Sequence, residues 1–545
     1  GKEPVVGLKN TSIAFSDSKT EDLAILGKVW GFLKYYHPAV ANGDFDWDEE
    51  LIKVLPEILG TENPSDRNSA LSKWVVSTGP VIVDKKNKFD NKEVKIYPDL
   101  AWIDSTILGS KLTLQLTEIK NARRTGSNYY VSLAPGVGNP DFTNEKPYDT
   151  MKYPDAGFRL LSLYRYWNII QYYFPYKNLI EENWNEVLPE FIPKFLDASN
   201  ELEYKLAVLS LIARVHDTHA NIWGKDSTLR QYRGMKYAPV EITFVENKAV
   251  VTGYTDQILG VQSGLMTGDV ITSINYKPTE SIVEEALPFT PASNYPTQLR
   301  DIARNLLRTN DSLLTIVFDQ GDSKLVRQIR CYGSDQLNFY KKYDKNDTCF
   351  KMINPDIAYI YPGSIKSEYL PKIMEETFKG KGLIIDLRCY PSDFIVFSLS
   401  DYLLPESTPF VKFSEGSITS PGLFTMTNNL EVGWKNKNHF KGKVVVIVNE
   451  ITQSQAEYTT MAFRVAPGAT VIGSTTAGAD GNVSQFSLPG GISTMISGIG
   501  VYYPDGRETQ RVGIIPDVEV KPTIKGITEG KDELLEKAID IINGK

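Results

Sequence analysis

The sequence predicts a multidomain α/β chain, with an N-terminal mixed region built on a helical hairpin repeat, a β-rich middle and a C-terminal α/β core. Three observations carry that prediction. At 545 residues the chain exceeds what one hydrophobic core organises, so several domains are expected. An aromatic-rich helical pattern occurs twice before residue 200. From Lys236 onward the apolar period shifts to strand-like alternation, and later to alternating strands and helices.

The repeat is visible when Trp30-Gly-Phe-Leu-Lys-Tyr-Tyr-His-Pro38 is laid over Trp167-Asn-Ile-Ile-Gln-Tyr-Tyr-Phe-Pro175, an offset of 137 positions. The same offset carries Trp47 onto Trp184, Leu51 onto Leu188 and Pro56 onto Pro193. Apolar residues recur at three- and four-residue spacing and stop at proline, as in an amphipathic helix closed by a turn. Each copy reads as a helical hairpin whose aromatics pack a core rather than stack on a ligand.

Between the copies, Lys92–Pro98 and Asn128–Leu133 alternate like strands, and Pro135–Pro140 marks a break. Leu202–Val215 reads as a further apolar helix that ends in His216-Asp-Thr-His-Ala-Asn221. The chain has four histidines, so a pair at one helix end stands out. Histidines three apart form a weak metal signal when no third ligand lies nearby, and no metal or cofactor is expected. His216 is read as supporting the helix end.

Val240–Val245 and Lys248–Gly253 alternate as strands and lead to Ser263-Gly-Leu-Met-Thr-Gly-Asp-Val-Ile-Thr-Ser-Ile-Asn275. That string resembles the PDZ fold, whose members bind extended peptides by adding a strand to a sheet edge. The resemblance implies a role for Gly264 and Leu265 in substrate binding. Beyond it, Ala358–Tyr361, Gly382–Arg388 and Lys443–Val448 are short β-branched runs separated by helical patterns around Ser364–Phe378 and Ser454–Val465. That order predicts a largely parallel sheet, with chemistry outside the carboxyl ends of its strands. The expected divisions are 1–150 and 151–232, then a PDZ-like domain at 236–333 and the α/β core at 345–545.

Ser454 falls between the Lys443–Val448 strand and a helix. A serine at a helix start is ordinarily an N-cap, but the free N–H groups there also suit a nucleophile and its oxyanion. The flanking residues Asn449-Glu-Ile-Thr-Gln-Ser-Gln-Ala-Glu457 resemble the nucleophile signature of the C-terminal-processing and tricorn-like serine peptidases. Ile384–Arg388, Gly473–Gly478, Gly513–Val518 and the Gly530–Ala538 helix agree with that family in order, from about Lys205 to the C-terminus. The resemblance implies a ClpP/crotonase-like sheet in the core, Ser454 as nucleophile and the Gln455 amide as an oxyanion donor.

One branch of the family uses a lysine as base, but Ala479 stands at its place in Thr476–Gly481. The tricorn-like branch uses a histidine ahead of the PDZ region, which implies His219, oriented by Thr218. An imidazole suits proton transfer near neutrality. The acidic partner expected before Gly513 is replaced by Gln510, with Glu508 two positions earlier, and either is a candidate. The family's glycine-rich oxyanion loop is here Cys389-Tyr-Pro-Ser-Asp393; Pro391 has no N–H, so Ser392 or a neighbour is the candidate amide. Reduced activity, or a catalytically weak peptide-binding homologue, is the alternative to an active endopeptidase.

A net charge of -8 disfavours nucleic acid as a partner. The expected partner is a peptide or unfolded protein. No apolar stretch approaches the ~20 residues of a membrane span, and the three cysteines form neither a disulfide framework nor a zinc motif. The first residue is Gly1 rather than Met. The resemblance implies a cell-envelope protein, periplasmic or secreted, whose leader has been removed.

Overall fold

The computed structural model describes residues 17–84, 92–340 and 348–545. The expected boundary at residue 345 lies outside the described residues. Apolar side chains gather into three main clusters: an N-terminal helical one, one in the β-rich middle and one in the C-terminal core.

The N-terminal cluster is built on helices α1 (Asp17–Tyr36), α2 (Trp47–Leu59), α3 (Ser105–Lys120), α4 (Ala156–Tyr173), α5 (Trp184–Asp197) and α6 (Glu201–Ala213). The Trp30 and Trp47 indole N–H groups donate to each other's backbone carbonyls at 2.9 and 2.8 Å. Trp167 and Trp184 do the same at 2.8 and 3.0 Å. All four rings are buried, each polar tip satisfied by the opposing chain, as core tryptophans require. This part is tied to the C-terminal half: Val94–Ile96 pairs antiparallel with Phe424–Met426.

The middle cluster is an antiparallel sheet of β1 (Val240–Val245), β2 (Lys248–Tyr254), β3 (Val270–Ile274), β4 (Leu313–Gln320) and β5 (Ser323–Arg330), in spatial order β5-β4-β3-β2-β1. β1 is therefore an edge strand, and helix α7 (Tyr295–Leu306) packs against it.

The C-terminal sheet runs in the order β6 (Phe350–Asn354), β7 (Ile357–Ile360), β8 (Gly382–Asp386), β9 (Lys443–Val448), β10 (Thr470–Gly473) and β11 (Val518–Glu519). β6 is antiparallel to β7, and the remaining pairs are parallel. Central strands β8 and β9 are almost wholly buried, which explains their unbroken apolar runs. Helix α8 (Gln455–Arg464) follows β9, and α9 (Glu533–Ile542) packs across β9. Among the described residues, no helix is long and apolar enough to cross a membrane.

Candidate active site

β9 ends at Val448 and the chain makes a tight turn before α8. Asn449 closes it locally: its side-chain oxygen accepts from Ile451 N at 2.9 Å, and its own N–H donates to Thr452 Oγ1 at 3.1 Å. The Thr452 hydroxyl donates in turn to Leu387 O at 2.7 Å, tying the turn to the end of β8. Ser454 then adopts φ 56° and ψ −118°, a conformation that costs a non-glycine residue about 1–3 kcal/mol.

What holds it there is the Ser454 N–H, which donates to Ala479 O at 2.9 Å and to Glu457 Oε1 at 3.1 Å. The buried Glu457 carboxylate also accepts from Thr476 Oγ1 (2.7 Å), Gly478 N (3.1 Å) and Ala479 N (3.1 Å). The glutamate three places after the serine thus binds the strained residue to the 476–480 loop. Gly478 has φ 69°, and a Cβ there would lie 2.8 Å from Arg511 O, so glycine is required at this bend. Gln455 opens α8, where first-turn amides lack a carbonyl one turn earlier.

His219 lies in the buried loop after α6. Its Nδ1 is 2.8 Å from Ser497 Oγ, and the Ser497 hydroxyl is 2.8 Å from Asp217 Oδ1. Asp217 is fully buried and also accepts from Ser497 N (2.7 Å), His219 N (3.1 Å) and Gln510 Nε2 (3.2 Å). A carboxylate only accepts, so the one Ser497 hydroxyl hydrogen goes to Asp217 and its oxygen takes the proton on Nδ1. That leaves Nε2 with a lone pair. Burial lowers the His219 pKa, the Asp217 charge opposes that shift and the Arg300 guanidinium adds to it.

Arg300, from α7, donates to Glu450 O and Gln453 Oε1, both at 2.9 Å, so one guanidinium touches the Ser454 turn and is felt at His219. The 476–480 loop joins the same two segments. Ala479 O receives the Ser454 N–H, while Ala477 O receives the Thr218 hydroxyl at 2.7 Å. Among the described residues, Ser454 and His219 do not hydrogen-bond to each other.

The remaining expected residues are placed as follows. Thr218 faces Ala477 and Ser293, the latter at 3.1 Å from its hydroxyl, instead of orienting His219. Gln510 joins the site through Asp217. Glu508 forms an ion pair with Lys95 at 2.9 Å. The Ser392 N–H is committed to Pro362 O at 2.9 Å and its hydroxyl to Ile365 O at 2.5 Å, so that amide is not free to meet an oxyanion. Leu265 is fully buried in the core of the middle sheet, as its apolar side chain favours. Neither it nor Gly264 lines the groove of about 960 Å³ that runs along β1 and α7 and reaches Asn449, Glu450 and Ile451. Ala479, at the place of the other branch's lysine, is fully buried.

Sequence reasoning missed Asp217 and Ser497. Asp217 was within reach, being the carboxylate between the two histidines. Ser497 carried no signal: it ends a strand 278 residues from His219 and reaches it through the antiparallel pairing of Ile492–Ser497 with Ile222–Trp223.

The β9–Ser454–α8 junction lies at the carboxyl end of a parallel sheet, where α/β folds place their sites, and the 476–480 loop ties the buried histidine loop to it. Residues 356–520 match the model of peptidase family S41. Over those residues the chain is similar to the C-terminal-processing serine peptidases of that family. In overall fold it is similar to mature CPAF, with a TM-score of 0.56 and 12% identity over 72% of this chain and 98% of that one. CPAF complexed with lactacystin gives a TM-score of 0.55 and 11% identity over 72% and 99%. The photosystem II D1 C-terminal processing protease gives a TM-score of 0.39 and 15% identity over 69% and 98%. No curated protein matches the chain by sequence.

Proposed function

We propose that the chain is a serine endopeptidase that cleaves peptides or the C-terminal tails of proteins through an acyl-enzyme intermediate, with Ser454 as nucleophile and His219 as general base. The observation that carries this reading is the His219–Ser497–Asp217 relay, because it fixes the tautomer in which Nε2 can take the Ser454 proton. Ser454 Oγ attacks the scissile carbonyl and its proton passes to Nε2. The Gln455 N–H, at the positive end of α8, meets the developing oxyanion. His219 then returns the proton to the leaving amine, and water repeats the sequence on the ester. Asp217 stabilises the imidazolium through the Ser497 hydroxyl, while Gln510 holds Asp217.

The middle sheet is the PDZ-like module in this reading. Edge strand β1 offers unpaired backbone groups to an extended peptide, and α7 forms the opposite wall. The groove leads to Asn449–Ile451, just before the nucleophile. We assign the protein to the cell envelope on the family resemblance.

A second reading, a catalytically weak peptide-binding homologue, is favoured by the committed Ser392 amide and by Pro391. Loss of one oxyanion donor costs ~10²–10³ in rate. The two separate on incubation with an unfolded protein followed by mass spectrometry. New termini formed by wild type and absent with Ser454→Ala support the peptidase. Saturable peptide binding with no new termini supports the second reading.

A further inference from the structure

Beside the nucleophile turn, the segment from Cys389 to Phe397 exposes three large rings: Tyr390, Phe394 and Phe397 are 61%, 47% and 38% exposed. A single exposed apolar side chain is ordinary on a protein surface, whereas apolar side chains that cluster in the open mark a binding surface. The Phe394 ring centroid lies 5.9 Å from that of Phe397, and Phe394 stacks on half-buried Tyr458 at 6.2 Å and 24°. Behind them, fully buried Phe410 packs edge-on against both Phe397 (6.1 Å) and Tyr458 (5.3 Å). Phe394 and Phe397 therefore stand on a packed aromatic floor.

This surface is held in place and joined to Ser454. The Asp393 carboxylate accepts from Ser367 N at 2.7 Å and from the Ser367 hydroxyl at 2.8 Å, which anchors the loop that carries Tyr390 and Phe394. The Gln455 side-chain amide bridges the same loop, donating to Asp393 O at 3.3 Å and accepting from the Tyr390 hydroxyl at 3.4 Å. Tyr458 lies one turn along α8 from Ser454 and donates its N–H to Ser454 O at 3.0 Å.

The peptide groove meets the nucleophile turn at Asn449–Ile451, ahead of Ser454, while the aromatic side chains contact Gln455 and Tyr458, just after it. A chain that lies in the groove with its scissile bond at Ser454 runs on to these rings.

We infer that this surface is the subsite for a substrate side chain flanking the scissile bond, and that it selects aromatic and long aliphatic residues. The inference rests on the peptidase reading above. A phenyl or isobutyl group laid against Phe394, Phe397 and Tyr458 removes apolar area from water on both partners, and a ring gains offset or edge contacts as well. A methyl group covers too little of that surface to gain the same. A carboxylate loses hydration there, with no cation among these side chains to meet it.

Internally quenched decapeptides of alanine and serine with one variable central residue test it, read by kcat/KM, with the cut located by mass spectrometry. Cleavage beside the variable residue is expected, about 10-fold or more faster for phenylalanine or leucine than for alanine, and slowest for aspartate. In Phe394→Ser and in Phe397→Ser the phenylalanine-to-alanine ratio should fall towards 1; loss of folded protein lowers both rates and cannot collapse their ratio. Fluorescence anisotropy of singly labelled versions of the same peptides on Ser454→Ala separates the subsite from the reading beneath it. Tighter binding of the phenylalanine peptide there, with no cleavage by wild type, sinks the peptidase and supports the subsite. Cleavage without preference for large apolar residues overturns the subsite and leaves the peptidase. Equal affinities for the phenylalanine and alanine peptides, or a ratio unchanged in both variants, also overturns it. If sedimentation shows that the variants dissociate an oligomer while the ratio is unchanged, the rings join copies of this chain and the inference falls.

Discussion

The Ser497 hydroxyl lies 2.8 Å from Nδ1 of His219 and, by donating its hydrogen to a carboxylate, can only accept from that ring nitrogen. The imidazole is thereby held in one tautomer by a residue 278 positions away.

Ser497→Ala should therefore cost kcat more than KM. Losing an orienting partner of a histidine typically lowers activity by about 10–100-fold. Asp217→Asn should cost more, on the order of 10²–10⁴ in kcat, because it also removes the charge that stabilises imidazolium. Steady-state kinetics on a cleaved peptide checks both. An unchanged kcat in Ser497→Ala would remove the relay from the mechanism.

Glu508→Gln is expected to leave kcat within about 2-fold, since the pair it breaks with Lys95 lies partly exposed, where ion pairs contribute little. Gln510→Leu should lower kcat, because it strips an N–H from the buried Asp217. The opposite ranking of the two variants would mean that Glu508, not Gln510, serves the site.

The pH profile follows from burial. His219 must be neutral to act as base, and burial sets its pKa below the ordinary 6.5. The acidic limb of kcat/KM should therefore have its midpoint below pH 6.5. A midpoint above 6.5 would show that the Asp217 charge outweighs desolvation.

Asp480 should make stability fall as pH rises. It is fully buried, its Oδ2 has no partner among the described residues, and burial together with the Glu457 charge raises its pKa well above the ordinary value. Glu457 accepts four donors, so the proton stays on Asp480. A raised native pKa stabilises fully below the unfolded value near ~3.9, and that contribution is lost as pH climbs towards the folded one, by about 1.4 kcal/mol per unit. Asp480→Asn lacks that slope, so the Tm of the variant minus that of wild type should grow from pH 5 to pH 8. A constant difference contradicts the assignment.

The sequence made the parallel sheet legible because fully buried strands such as β8 and β9 are written as unbroken β-branched runs. The Ser454 junction was legible for a related reason: its turn is closed by Asn449, Thr452 and Glu457, all local in sequence. The orienting group of His219 was not, because it depends on the pairing of two distant strands, and because adjacency favoured Thr218, whose hydroxyl faces Ala477. The loop expected to supply an oxyanion amide was legible only in what it lacks. That Pro391 has no N–H is written in the sequence, whereas the engagement of the Ser392 amide with Pro362 O is a tertiary fact.

The central claim, that Ser454 is a nucleophile activated by His219, is tested most directly by the rate at which a fluorophosphonate probe labels the folded protein, with the modified residue located by peptide mass spectrometry. The account predicts covalent labelling of Ser454 in wild type and labelling slowed by ~10²-fold or more in His219→Ala. No labelling of the folded wild type, or the same rate in His219→Ala, would contradict it.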